Sequence, residues 1–229
     1  MIDEIRKDDG SALALDLAQH IGRLLKAAIA SRGVALIAVS GGRSPAAVFD
    51  ALQKVSINWA KVIVTQVDER WVPPSHADSN SRLILGHLLT GMAAAADFLP
   101  MKNDADDAVA GQPACEAALA ALPLPFDIVL LGMGEDGHTA SLFPDAAELA
   151  EGLTTDALCL AVTPPDAPHQ RMSLSLTGLL KSRLLILQIG GAAKEAVYRT
   201  ALGEGPVEDM PVRAILRQHR VPVEVWISA

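Results

Sequence analysis

Six short stretches of this chain are dominated by apolar residues: Val34–Val39, Ala60–Val67, Phe126–Leu131, Leu158–Val162, Arg183–Ile189 and Val221–Ile227. Runs of this length, apolar on both faces, are the pattern of strands buried in a parallel sheet. Between them, apolar residues recur at helical spacing. In Ser11–Ser31, Leu13, Leu17, Ile21, Leu24, Leu25 and Ala28 share one stripe, and Gly33 supplies the stop. Helices are also predicted over Pro45–Lys54, Ser79–Leu89, Asp106–Ala121, Gly191–Ala201 and Pro211–Gln218. Strands and helices alternate almost throughout. That order predicts an α/β fold with a mostly parallel, doubly wound sheet and helices on both faces. No internal repeat and no linker rich in Pro, Gly or Ser interrupts it, so one domain over residues 1–229 is expected.

Composition narrows the function classes. Half of the 229 residues are hydrophobic but only 3% are aromatic, so aliphatic side chains must fill the core. The formal net charge of −8 would repel nucleic acid phosphates, so no nucleic acid partner is expected. A small anionic ligand is compatible with it, because a local site can be basic. Cys115 and Cys159 have no metal or redox spacing and read as reduced core thiols. The opening stretch MIDEIRKDDG has no apolar signal region, and the apolar runs are too short to span a bilayer. A cytoplasmic protein without a membrane partner is expected.

Ligands of doubly wound sheets bind beyond the carboxyl ends of the strands, so the residues after each strand carry the functional information. After Phe126–Leu131 comes Gly132-Met133-Gly134-Glu135-Asp136-Gly137, which has the dinucleotide spelling G-x-G-x-x-G. The chemistry around it is wrong for a dinucleotide. Glu135 and Asp136 would repel a pyrophosphate, and Pro144 would cut short any helix begun at Gly137. The next strand also ends at Val162-Thr163-Pro164, without a carboxylate for a ribose.

The residue that follows, His138, fits acid–base chemistry better. Asp136 stands two positions before it and could orient the imidazole. After Val34–Val39, the segment SGGRSP (Ser40–Pro45) pairs two glycines with Ser44 as a predicted N-cap, and the free N–H groups of such a helix start suit a phosphate. After Ala60–Val67, DERWVPPSHADSN (Asp68–Asn80) puts Asp68 at a strand end and opens a long loop. Glu69 and Arg70 could simply pair there, and Trp71 could serve as a lid or as core. Arg171 and, after a Gly-Gly turn, Lys194 could grip the same phosphate. The six histidines form no HxH or HExxH set, and His76 with Asp78 is a weak metal signal, so no metal site is expected. No G-x-S-x-G supports a serine hydrolase.

Taken in order and spacing, SGGRSP, DERWVPPSHADSN and LLGMGEDGHTASLFP resemble the 6-phosphogluconolactonase family, and RMSLS and GGAAKEA fit it too. The resemblance covers Ser11 to Trp226. It implies a modified Rossmann-type fold shared with the glucosamine-6-phosphate deaminases and isomerases. It implies hydrolysis of 6-phosphoglucono-1,5-lactone in the oxidative pentose phosphate pathway, with no metal or organic cofactor. His138 becomes the candidate general base with Asp136 beside it. Gly41, Gly42, Arg43, Ser44, Asp68, Arg70, Asn80, Gly137, Arg171 and Lys194 become candidate substrate contacts. A monomer or weak homodimer is expected. Deaminases that resemble the third motif carry a glutamate immediately before its proline, whereas this chain has Phe143. The rival readings are a deaminase or sugar-phosphate isomerase, and a non-catalytic sugar-phosphate sensor.

Overall fold

The computed structural model describes residues 2–229, apart from the side chain of Arg43. Its central sheet has seven strands, all pairs parallel: β1 (Ile2–Lys7), β10 (Val223–Ser228), β9 (Leu185–Gly190), β6 (Ile128–Leu131), β2 (Ala35–Val39), β3 (Val62–Gln66) and β5 (Asp97–Leu99), in that spatial order. A second, antiparallel sheet joins β4 (Asp68–Arg70), β8 (Arg171–Leu174) and β7 (Cys159–Val162).

The period of two in the strands separates two cores. In β2, Ala35, Ile37 and Val39 face one core while Leu36 and Ala38 face the other. The first core takes the stripe of α1 (Gly10–Arg32), with Leu13, Leu17, Ile21 and Leu25 fully buried, and α2 (Arg43–Leu52) and α3 (Asn80–His87) beside it. Each such side chain contributes about 1.5–3 kcal/mol. Asp9 caps α1 by accepting from Ala12 N at 2.7 Å, and Gly33 closes it in the left-handed region at φ 80°. The other core is covered by α4 (Ala108–Ala120), α7 (Ala192–Leu202), α8 (Val212–Arg217) and the small sheet, with α5 (Leu149–Thr154) and α6 (Leu176–Leu180) at its rim. No helix among the described residues is long and apolar enough to cross a membrane.

Three expectations need correction. Leu158–Val162 is a buried strand, but it belongs to the small antiparallel sheet rather than the central one. The charged segment Ile2–Lys7 is an edge strand, with Glu4 paired to Arg199 and Arg6 to Glu195 on α7. Helix α2 begins at Arg43, with Gly42 at the cap position and no side-chain cap, so Ser44 lies inside the first turn.

The topology locates a candidate ligand-binding crevice. From β2 the chain moves outward through β3 to β5. From β6, the neighbour of β2 on its other side, it moves the opposite way to β9 and β10. The loops after β2 and β6 therefore part at the point where the winding direction reverses, which opens a crevice at the carboxyl edge.

Candidate active site

A cavity of about 210 Å³ occupies that crevice. Ser40, Gly41 and Gly42 line it from the end of β2, and Gly132, Met133, Gly134, His138 and Ala140 from the loop after β6. Asp68, Arg70 and Asn80 close a third side, and Lys194 enters from the first turn of α7.

His138 and Asp136 form a hydrogen-bonded dyad. Nδ1 of the imidazole lies 2.6 Å from Asp136 Oδ1, and the same oxygen accepts from the His138 backbone N–H at 3.1 Å. The turn itself is closed by Gly134 N–H donating to His138 O at 2.9 Å and Gly137 N–H donating to Gly134 O at 3.1 Å. With Nδ1 engaged by a carboxylate, Nε2 is the nitrogen left to exchange a proton with a ligand. The glycines have a steric reason. A Cβ on Gly134 would lie 2.2 Å from His138 Nδ1 and 2.4 Å from Asp136 Oδ1, so the dyad needs bare backbone beneath it. Gly137 adopts φ 81°, in the left-handed region. No helix opens at Gly137, as the sequence argument against a dinucleotide loop required.

Burial disfavours the charged form of Asp136, but the hydrogen bond and charge of His138, with two backbone N–H groups, outweigh it. The carboxyl is held below its ordinary range. The Phe143 ring packs on the imidazole at a centroid distance of 4.3 Å.

The loop after β4 is organised by Glu69, a residue the sequence reading treated only as a possible partner of Arg70. Its carboxylate is fully buried. Oε1 accepts from Arg70 N at 2.8 Å and Asn80 N at 2.7 Å. Oε2 accepts from Gln66 Nε2 at 2.6 Å, Ser81 N at 2.7 Å and Ser79 Oγ at 3.2 Å. It thereby ties the end of β3 to the start of α3. Asn80 Nδ2 donates to Asp68 O at 2.9 Å, and Ser141 Oγ donates to Asp68 Oδ2 at 2.7 Å. Gly41 is needed for the same assembly, since a Cβ there would lie 1.8 Å from Asn80 Oδ1.

The arginines make the crevice basic. Arg70 and Arg171 are direct partners across β4 and β8, so their side chains share a face of the small sheet. The Arg70 guanidinium donates to Asp78 O at 2.6 Å. Arg171 is buried, and burial together with the charge of Arg70 lowers its pKa. The Nε atoms of both are buried without a hydrogen-bond partner among the described residues. Two guanidiniums on one face of the small sheet favour an anion beside them. The first-turn N–H groups of α2 and α7 add to this, as neither helix has a side-chain cap.

Of the residues singled out in the sequence, Gly41, Gly42, Asp68, Arg70, Asn80, His138 and Lys194 line the cavity. Asp136 lies behind His138, Gly137 shapes its turn, and Arg171 accompanies Arg70. Ser44 is in the first turn of α2, where its carbonyl accepts from Gln188 Nε2 at 3.1 Å. The Arg43 side chain is outside the described part of the structure. Ser40, Met133 and Ala140 line the cavity without having been singled out. Ser40 could have been found from its place at a strand end. Trp71 is not a lid: it is half-buried at the core edge and donates to Ala105 O at 3.1 Å.

A family model described as glucosamine-6-phosphate isomerases/6-phosphogluconolactonase matches residues 8–226. The chain belongs to this family. Among curated members, a 6-phosphogluconolactonase of Pseudomonas putida is 41% identical over 220 residues, covering 95% of this chain and 89% of that protein. Another, from Mesorhizobium japonicum, is 43% identical over 220 residues, covering 95% and 92%. The crystal structure of a 6-phosphogluconolactonase from Shewanella baltica OS155 matches with a TM-score of 0.98 at 44% identity, over 100% of this chain and 98% of that one.

Proposed function

We propose that this chain is a 6-phosphogluconolactonase, hydrolysing 6-phosphoglucono-1,5-lactone to 6-phosphogluconate in the oxidative pentose phosphate pathway. The observation that carries the reading is the Asp136–His138 dyad, with Nε2 free of a protein partner among the described residues, at the wall of a basic crevice. Neutral His138 takes a proton from a water through Nε2, and that water adds to the lactone C1. Negative charge develops on the carbonyl oxygen, where backbone N–H groups stabilise it. The tetrahedral intermediate collapses, the bond from C1 to the ring oxygen breaks, and the leaving oxygen takes the proton back from the imidazolium. Asp136 stabilises that imidazolium and holds the ring. A base in this role contributes about 10²–10⁴-fold. The reaction as written uses no metal and no organic cofactor.

Lys194, Arg70, Arg171 and the N-termini of α2 and α7 are the groups we assign to the phosphate, with Gly41 and Gly42 giving it close access to backbone. Asp68 and Asn80 are assigned to the sugar side of the crevice. Phe143 against the imidazole favours this reaction over amino-sugar deamination, because an apolar ring cannot relay a proton. We place the enzyme in the cytoplasm, acting as one domain and as a monomer or weak homodimer.

The test is substrate choice. Freshly generated 6-phosphoglucono-1,5-lactone is hydrolysed above its spontaneous rate, the unphosphorylated lactone is hydrolysed poorly, and glucosamine 6-phosphate releases no ammonia. Ammonia release, or lactone binding without turnover, contradicts the proposal.

A further inference from the structure

Three donor side chains outside the catalytic dyad meet at the rim of the crevice. His76 and Asp78 lie in the loop between β4 and α3, and His169 lies in the loop between β7 and β8. One donor atom from each falls within 4.8 Å of the others. Asp78 Oδ2 is 3.2 Å from His169 Nε2 and 3.8 Å from His76 Nδ1. The imidazoles meet edge to face, with centroids 5.3 Å apart. A tetrahedral zinc ion with ligands at about 2.0–2.1 Å needs donor atoms about 3.4 Å apart, which these two distances bracket. His76 Nδ1 accepts from the Asp78 backbone N–H at 3.1 Å, a hydrogen bond that a metal ion on that nitrogen replaces. His169 is held at φ 71°, a region that non-glycine residues seldom occupy, and this conformation presents its ring to Asp78.

We propose that His76, Asp78 and His169 form a three-ligand site for zinc or a similar divalent transition metal, clamping the two loops together. Two imidazoles and one carboxylate suit a borderline metal and disfavour calcium and magnesium, which require several oxygen ligands. The clamp bears on the crevice through backbone. Asp78 O accepts from Arg70 Nη1 at 2.6 Å, and Pro168 O, next to His169, accepts from Arg171 Nη2 at 3.4 Å. The metal takes no part in lactone hydrolysis and fixes the carbonyls that position the two arginines.

The experiment is calorimetric titration of the chelator-treated protein with zinc chloride, paired with thermal unfolding. One zinc binds per chain, and at a concentration a hundred times Kd the Tm rises by about 5–10 °C. Magnesium and calcium chloride give neither effect. His169→Asn, a residue that tolerates the left-handed backbone, lowers zinc affinity by at least the about 10–100-fold seen for disturbed outer-shell partners. His76→Ala, in an exposed loop, does the same, and His138→Ala leaves the affinity unchanged. An unaltered metal-free Tm in each variant verifies the fold. Absence of zinc binding by the wild type, undiminished binding by both loop variants, or loss of binding in His138→Ala overturns the proposal.

Discussion

Replacing Glu69 by Gln removes the carboxylate that receives five donors between the end of β3 and the first turn of α3. The amide is nearly isosteric, but its NH₂ must occupy one of the two oxygen positions. At the Oε1 position it faces the N–H groups of Arg70 and Asn80. At the Oε2 position it faces Gln66 Nε2, Ser79 Oγ and Ser81 N. Gln66 cannot flip to help without losing the bond that Met101 N makes to its Oε1 at 2.9 Å. Either choice leaves at least two buried donors unsatisfied, at about 1–3 kcal/mol each. Removing a buried charge offsets part of this. A loss of about 3 kcal/mol is expected, a large share of the roughly 5–15 kcal/mol typical of a folded protein. Urea unfolding at pH 7 measures it as a lower midpoint at constant m-value, with Tm lower by about 6–12 °C. Because Glu69 also holds the backbone of Arg70 and Asn80, kcat/KM falls even where the variant is fully folded. A loss below about 1 kcal/mol refutes the reasoning, since it means the donors find other partners.

Three further outcomes follow from the site. Gly134→Ala places a methyl group inside contact distance of both dyad residues, so kcat falls by as much as about 100-fold while KM changes little; an unaltered kcat contradicts the packing argument. Arg171→Ala and Lys194→Ala each raise KM for the lactone by about 10- to 150-fold, the equivalent of one charged hydrogen bond at about 1.5–3 kcal/mol; an unchanged KM in both removes them from phosphate binding. The Asp136 carboxyl titrates below the ordinary carboxylate range, as the carboxyl carbon shift in NMR would report. Its folded pKa is depressed, so its contribution to stability is complete above about pH 4 and is lost as pH falls through the lower folded value. A midpoint at or above the ordinary range contradicts the pairing with His138.

The residues that spoke clearly in sequence were those whose role is local. Val34–Val39 and Phe126–Leu131 are buried on both faces, so continuous apolarity alone marked them as inner strands. Gly41 and Gly42 come just after the first of those strands and His138 lies in the turn after the second, and a strand end in this fold is already a ligand-facing position. Leu158–Val162 was legible as a strand but not as a member of the small sheet, because a buried apolar run carries no record of its neighbours. Ile2–Lys7 was hidden by its charges, which are matched by Arg199 and Glu195, 195 and 189 positions away. Glu69 was misjudged for the same reason. Its neighbour Arg70 looked like a partner, whereas its donors return from Ser79, Asn80 and Ser81 after a loop whose path the sequence does not encode locally. Arg171 could be suspected as an anion ligand, but its pairing with Arg70 depends on the register of β4 and β8.

The most direct measurement is hydrolysis of freshly generated 6-phosphoglucono-1,5-lactone by the wild type and by His138→Ala, with the spontaneous rate subtracted. Hydrolysis by the wild type, falling about 10²–10⁴-fold in a folded His138→Ala variant, is the predicted result. A variant that keeps the full rate, or a wild type no faster than the spontaneous reaction, contradicts the assignment of His138 as the base of a lactonase.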